Sequence, residues 1–102
     1  MNLRRHPAGT PAPSADEIRE ALLAEGFIPS FWDAEPGASY PDYIHSKDEI
    51  VWAVSGRAMI KVGNETDELG PGDRVLIPAQ TYHTVQVIGD EKLEFFAALK
   101  KN

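Results

Sequence analysis

GASYPDYIHSKDEIVWAVSG, residues 37–56, carries the decisive pattern of this chain. From Glu49 to Ser55 the side chains fall on two alternating faces, Glu49, Val51 and Ala53 on one and Ile50, Trp52 and Val54 on the other, which is the period of a β-strand. Upstream, Tyr43 and His45 are two positions apart, so on an extended backbone they project to the same side and can meet one ligand. His45 and Glu49 are four apart and on one continuous strand would be separated by roughly 13 Å, far beyond the reach of a shared metal ion with bonds near 2 Å. Convergence of the two therefore demands a turn, and Ser46-Lys47-Asp48 is polar enough to make one.

Outward from this stretch the same period recurs. Strands are expected at Phe27–Asp33, Tyr40–His45, Glu49–Ser55, Arg57–Val62, Thr66–Leu69, Arg74–Ile77, His83–Ile88 and Leu93–Leu99, with turn residues between them at Pro36-Gly37, Ser55-Gly56, Gly63-Asn64, Gly70-Pro71-Gly72 and Gly89-Asp90. Short strands at such spacing predict an all-β sandwich or barrel. Ahead of them, Ser14-Ala-Asp-Glu17 has the form of a capping box, and Ile18, Ala21, Leu22 and Glu25 follow at helical spacing before Gly26, which predicts a helix over 15–25. Residues 1–13 contain three prolines and almost no large apolar side chain, so they read as a flexible tail ahead of a single domain spanning 14–102.

Both faces of Glu49–Ser55 are largely apolar, and Phe96 and Ala98 lie opposite Phe95 and Ala97 in the same way. A strand buried on both sides needs cover on its outer face, supplied either by the helix or by a second copy of the chain, so a homodimer is one expectation. The net charge of −6 and pI near 4.9 speak against a nucleic-acid surface, which requires clustered Lys and Arg. No run approaches the roughly 18 apolar residues of a membrane span, and no apolar segment follows Arg4 and Arg5 as a targeting signal would require; a cytoplasmic location is the simplest expectation. With no cysteine, disulfides, thiolate metal sites and cysteine nucleophiles are excluded together.

GDRVLIPAQTYH, residues 72–83, is the second informative stretch. His83, Val85 and Val87 share a face that suits an interior, with Thr84, Gln86 and Ile88 opposite. One inward histidine is more often a hydrogen-bonded core residue than a ligand. A glutamate beside Ile50-Val51-Trp52 shifts that balance, because a lone buried carboxylate is costly whereas one sharing a cation with two imidazoles is compensated. Of the three histidines, His45 and His83 fall in the two stretches and His6 in the tail. Trp32, Trp52, Tyr40 and Tyr82 could line a pocket or pack the core or an interface, with packing the safer reading for each, and Glu65-Thr66-Asp67-Glu68 reads as a solvated hairpin edge.

With these residues in place the chain resembles the cupin superfamily. The family's first motif, G-x5-H-x-H-x3,4-E-x6-G, is matched by Gly37, His45, Glu49 and Gly56, with Tyr43 where the first histidine is expected. Its second, G-x5-P-x-G-x2-H-x3-N, is matched by Gly72, Pro78 and His83, with Gln80 in place of glycine and Val87 in place of asparagine; the fifteen residues 57–71 separate the two, as in compact bacterial-type cupins. The resemblance implies a double-stranded β-helix, or jelly roll, carrying a divalent transition metal (iron, manganese, nickel, zinc or copper) on His45, Glu49 and His83. Tyr43 then has three possible roles: phenolate ligand, hydroxyl contact to a substrate or metal-bound water, or filler of the space histidine would occupy. A free phenol titrates near pH 10, which ranks direct ligation last. Two functions follow as expectations: a metal-dependent enzyme of oxygenase or isomerase type, with Tyr43 exchanging a proton with a small organic substrate, or a non-catalytic module that binds or senses a small ligand with or without metal.

Overall fold

The computed structural model describes all residues 1–102 and arranges them as one helix and nine strands: β1 (Asn2–Arg4), α1 (Ala15–Ala24), β2 (Phe27–Ala34), β3 (Ser39–Tyr43), β4 (Glu49–Ser55), β5 (Arg57–Val62), β6 (Glu65–Leu69), β7 (Arg74–Ile77), β8 (His83–Ile88) and β9 (Leu93–Lys100). They form two antiparallel sheets, one in the order β1-β7-β4-β9-β2 and the other β3-β8-β5-β6. Four of the eight expected strands have the observed bounds, and the other four differ only at their ends. The β3 strand stops at Tyr43 and leaves His45 beyond it. No helix is long and apolar enough to cross a membrane.

The inner faces of the sheets supply the larger core, in which Val51, Ala53, Val75 and Ile77 from the first sheet meet Ala58, Ile60, Val85 and Val87 from the second. The strand period set in the sequence is the period seen here, since each named residue is two positions from another on its own strand. A smaller core lies on the outer face of the first sheet. There α1 covers β4 and β9, with Ile18 and Leu22 fully buried against Phe27, Ile50, Phe96 and Ala98. The helix thus provides the cover that the second apolar face of β4 requires, and each of its two buried anchors contributes on the order of 1.5–3 kcal/mol.

Helix α1 begins as expected. Glu17 donates its backbone N–H to Ser14 Oγ at 3.2 Å while Ser14 N–H donates to a Glu17 carboxylate oxygen at 2.9 Å, the reciprocal capping box. Its other end is fixed to the sheet by charge. Arg74 donates to both oxygens of Glu25 at 2.6 and 2.7 Å and stacks over Trp52 with its guanidinium carbon 4.6 Å from the ring centroid. The hydrogen bonds from Arg74 hold the Glu25 carboxyl below its ordinary value. A depressed carboxylate contributes stability that is present above its unfolded pKa and disappears as pH falls through the folded one. Thermal melts between pH 6 and pH 3 are therefore expected to show a loss of stability below about pH 4.5 that is smaller in Glu25→Gln than in the parent chain.

The start of the chain differs from the expected flexible tail. Asn2, Leu3 and Arg4 pair with Leu76, Val75 and Arg74, and Met1 and Leu3 pack on the larger core. Asp73 explains why: it is buried, its Oδ1 accepts the backbone N–H of His6 at 2.8 Å, and its Oδ2 accepts from Gly70 N–H at 2.8 Å and Arg5 at 3.1 Å. Arg5 also reaches Asp67 at 2.7 Å, and His6 lies over Gly72 with its ring hydrogen-bonded to the Thr10 hydroxyl at 2.9 Å. A three-residue strand whose partner lies some seventy positions away leaves no periodic signal in the sequence.

Candidate metal centre

Two strands and a connection deliver the three candidate ligands. Glu49 is the first residue of β4, placed between Ile77 on β7 and Leu99 on β9, and its alternation with Val51 and Ala53 turns it toward the interior. His83 is the first residue of β8, opposite Val62 on one side and Tyr43 on the other. His45 sits just past β3, in the connection to β4.

That connection is held by backbone hydrogen bonds that join the two motifs. Gln80 donates its N–H to the His45 carbonyl at 2.8 Å, Ala79 N–H donates to Asp48 Oδ1 at 2.8 Å, and Lys100 N–H donates to the Asp48 carbonyl at 2.8 Å. The expected turn at Ser46-Lys47-Asp48 is thereby pinned to the β7–β8 connection and to the end of β9. Gln80, which stands where the family motif has glycine, takes the left-handed φ of 63° that glycine would take freely. Asp48, expected only as part of a turn, and Asp73, not singled out from the sequence, are both structural residues. An aspartate in or directly after a turn was the available signal, since such side chains commonly bond nearby backbone N–H groups.

His83 Nε2 lies 3.1 Å and His45 Nε2 3.4 Å from the same oxygen, Glu49 Oε1. Both separations are within hydrogen-bond reach, yet Glu49 Oε1 has no hydrogen-bond partner, because neither imidazole directs an N–H at it; His83 Nδ1 is likewise buried without a partner. Donor atoms bonded to one ion at about 2.1 Å stand roughly 3.0 Å apart at right angles and roughly 3.4 Å apart in a tetrahedron. The observed distances match those values, and the third pair of donors lies within 4.8 Å. Glu49 and His83 are 5% exposed, so an unpartnered carboxylate oxygen here carries a desolvation cost that a shared cation would offset. The donor set thus fits a divalent metal ion.

Tyr43 flanks this trio. Its ring centroid is 6.5 Å from that of His45, nearly parallel at 17°, and 6.3 Å from that of His83, and the side chain remains half-exposed. The β3 strand reaches this position through an irregularity between Tyr40 and Tyr43, where Asp42 adopts φ 56° and donates its N–H to Thr84 Oγ1 at 3.0 Å. His6, the third histidine, is not part of the group.

The trio lies in a cavity of about 360 Å³ between the sheets. Its inner wall is built from Val51, Val85, Phe95 and Ala97, and Ile28, Trp32, Tyr43 and Leu99 form a partly exposed rim. Of the four aromatic residues expected to pack or to line a pocket, Trp32 and Tyr40 line this cavity, while Trp52 lies under the helix end, where its indole N–H donates to the Gly72 carbonyl at 3.0 Å. Tyr82 is exposed and borders a separate polar cavity beside the β5–β6 turn.

Comparison with known proteins agrees with this architecture. The Cupin_2 family profile, described as a cupin domain, matches residues 30–99. The uncharacterised protein SCO3923 of Streptomyces coelicolor is 40% identical over 74 residues, covering 72% of this chain and 67% of its own. Among solved structures, the oxalate decarboxylase of Lactobacillus farciminis in complex with formate superposes with a TM-score of 0.68 at 28% identity, over 76% of this chain and 25% of that one. A Thermotoga maritima protein described as a predicted oxalate decarboxylase gives 0.68 at 20% identity, over 80% and 72% of the two chains.

Proposed function

On the premise that the chain belongs to the cupin family, we propose that it is a metal-dependent enzyme, of oxygenase or isomerase type, acting on a small organic molecule bound in the cavity between its sheets. One observation carries this reading: two imidazole nitrogens converge on a buried carboxylate oxygen that nothing else in the protein satisfies. His45, Glu49 and His83 would hold the ion. A divalent metal on two imidazoles and one carboxylate keeps coordination positions free and supplies Lewis acidity or, as iron, oxygen chemistry. The apolar wall shields the inner side of the bound molecule from water, and the half-exposed Tyr43, adjoining both imidazoles, is positioned to exchange a proton with it.

The expected result is stoichiometric metal in protein purified without a histidine tag, together with turnover of some member of a metabolite panel that Glu49→Gln abolishes. The oxalate named for two structural neighbours belongs in that panel. A second reading takes the same cavity as a binding site alone: a module that binds or senses a small ligand without converting it. Ligand binding without turnover in the metal-loaded protein decides for that reading.

A homodimer in the cytoplasm completes the proposal. Strand β2 is the outermost of its sheet, pairing only with β9, and Ile28, Phe31 and Trp32 along it are exposed. Such an edge favours addition of a second copy's strand. Light scattering at micromolar concentration is expected to give the dimer mass, and a monomer mass refutes this part.

A further inference from the structure

Resting on the metal-dependent reading above, we infer that the cavity takes a flat, largely apolar molecule bearing at most one negative charge, an aromatic or conjugated carbonyl or hydroxyl compound, and rejects small dicarboxylates. The chain has ten Lys and Arg residues, and none of them lines the cavity. Beside the two histidines, its one charged group is Glu49.

Charge bookkeeping then limits the occupant. A divalent cation, one carboxylate and two neutral imidazoles sum to +1. A neutral molecule leaves that charge as it stands, and a singly ionised oxygen head cancels it. A dianion inverts it to −1 among Val51, Val85, Phe95 and Ala97, where no cation or side-chain amide can answer it. Uncompensated charge in such surroundings is costly even when part of it is solvated through the rim.

The walls describe the remainder of the ligand. Trp32, Tyr40, Tyr43 and Phe95 present aromatic surface, which favours a flat ring or conjugated system in stacked or edge-on contact. Ser30 adds a hydroxyl to the lining for a single polar substituent. A volume of about 360 Å³ lies at the low end of the roughly 300–1,000 Å³ of small-molecule sites, enough for a substituted single ring.

The test uses three probes on the full chain loaded with Zn(II) and freed of excess ion: acetophenone (neutral), benzoate (one charge) and malonate (two). Calorimetry gives the affinities, and quenching of tryptophan fluorescence that disappears in Trp32→Phe places the probe in the cavity. Acetophenone and benzoate are expected to bind at least tenfold more tightly than malonate. Ser30→Arg, which adds a cation at the lining, is expected to raise malonate affinity about tenfold while leaving zinc content unchanged. Malonate binding as tightly as benzoate in the parent chain overturns the inference, as does an unchanged malonate affinity in Ser30→Arg. The two readings fail separately. Protein that takes up zinc and prefers malonate keeps the metal site and loses this inference; protein that takes up no zinc but still binds acetophenone more tightly than malonate loses the metal site and the charge limit drawn from it, and keeps only the preference for a flat apolar molecule.

Discussion

Glu49→Gln is expected to abolish metal uptake while leaving the metal-free protein as stable as the parent or more so. The two effects have opposite signs for one reason. In the metal-free chain, Glu49 Oε1 is buried without a hydrogen-bond partner, so the carboxylate is a cost that a neutral amide reduces. In the loaded chain the same carboxylate supplies the negative charge of the donor set, and its loss leaves two neutral imidazoles. At a metal concentration about a hundredfold above its Kd, binding to the folded state alone adds about 2.7 kcal/mol, which in a domain of this size raises Tm by roughly 10–20 °C. That rise should be present in the parent with at least one of Fe(II), Mn(II), Ni(II) and Zn(II), and absent in Glu49→Gln, His45→Ala and His83→Ala. If the histidine variants retain the metal content and the thermal shift of the parent, the assignment of the centre fails.

The second large effect concerns the frame. Gly37 and Gly56, the two glycines of the first motif, have nearly the same backbone, with φ of 83° and 81°. An alanine at either pays the left-handed penalty of about 1–2 kcal/mol. Their surroundings differ. A Cβ on Gly37 would meet nothing within 4 Å, whereas one on Gly56 would press into the Lys92 carbonyl and lie 2.9 Å from the Leu93 Cα. Those are backbone atoms where the chain enters β9, the strand between β4 and β2, and they cannot yield without disturbing the sheet that carries Glu49. Gly56→Ala is therefore expected to cost about 3 kcal/mol or more, lowering Tm by more than about 10 °C or leaving the chain insoluble, and Gly37→Ala to cost about 1–2 kcal/mol. Equal losses at the two sites in denaturant melts would show that the contact with β9 is not what fixes Gly56.

Much of this arrangement was legible in the residues. The two-residue period and the turn residues between strands identified β4, β5, β7 and β8 with their bounds, because each has one face against the larger core and a one-residue slip would expel that face. The capping box located the start of α1, a local interaction needing no partner from elsewhere in the chain. The grouping of His45, Glu49 and His83 was legible because the motifs fix which residue types follow each turn. What escaped the sequence was nonlocal. Whether α1 or a second copy covers Ile50 and Phe96 depends on where the helix docks. The placement of β1 depends on the buried Asp73, which gathers the nearby Gly70 amide together with the His6 amide and Arg5 from the start of the chain.

The sequence by itself determined the strand periods, the helix start and the three residue types able to share a metal, since these rest on local dihedral preferences and on side-chain chemistry. Only the tertiary structure decided that His45, although it lies outside any strand, meets Glu49. The Ser46–Asp48 turn is tied to Ala79, Gln80 and Lys100 by hydrogen bonds that span the barrel. It decided as well that both imidazoles approach a single carboxylate oxygen, and that the surrounding walls carry no cation. Distances of 3.1 and 3.4 Å between atoms on two strands and a connection arise from the stacking and register of two sheets, which no stretch of this chain encodes alone.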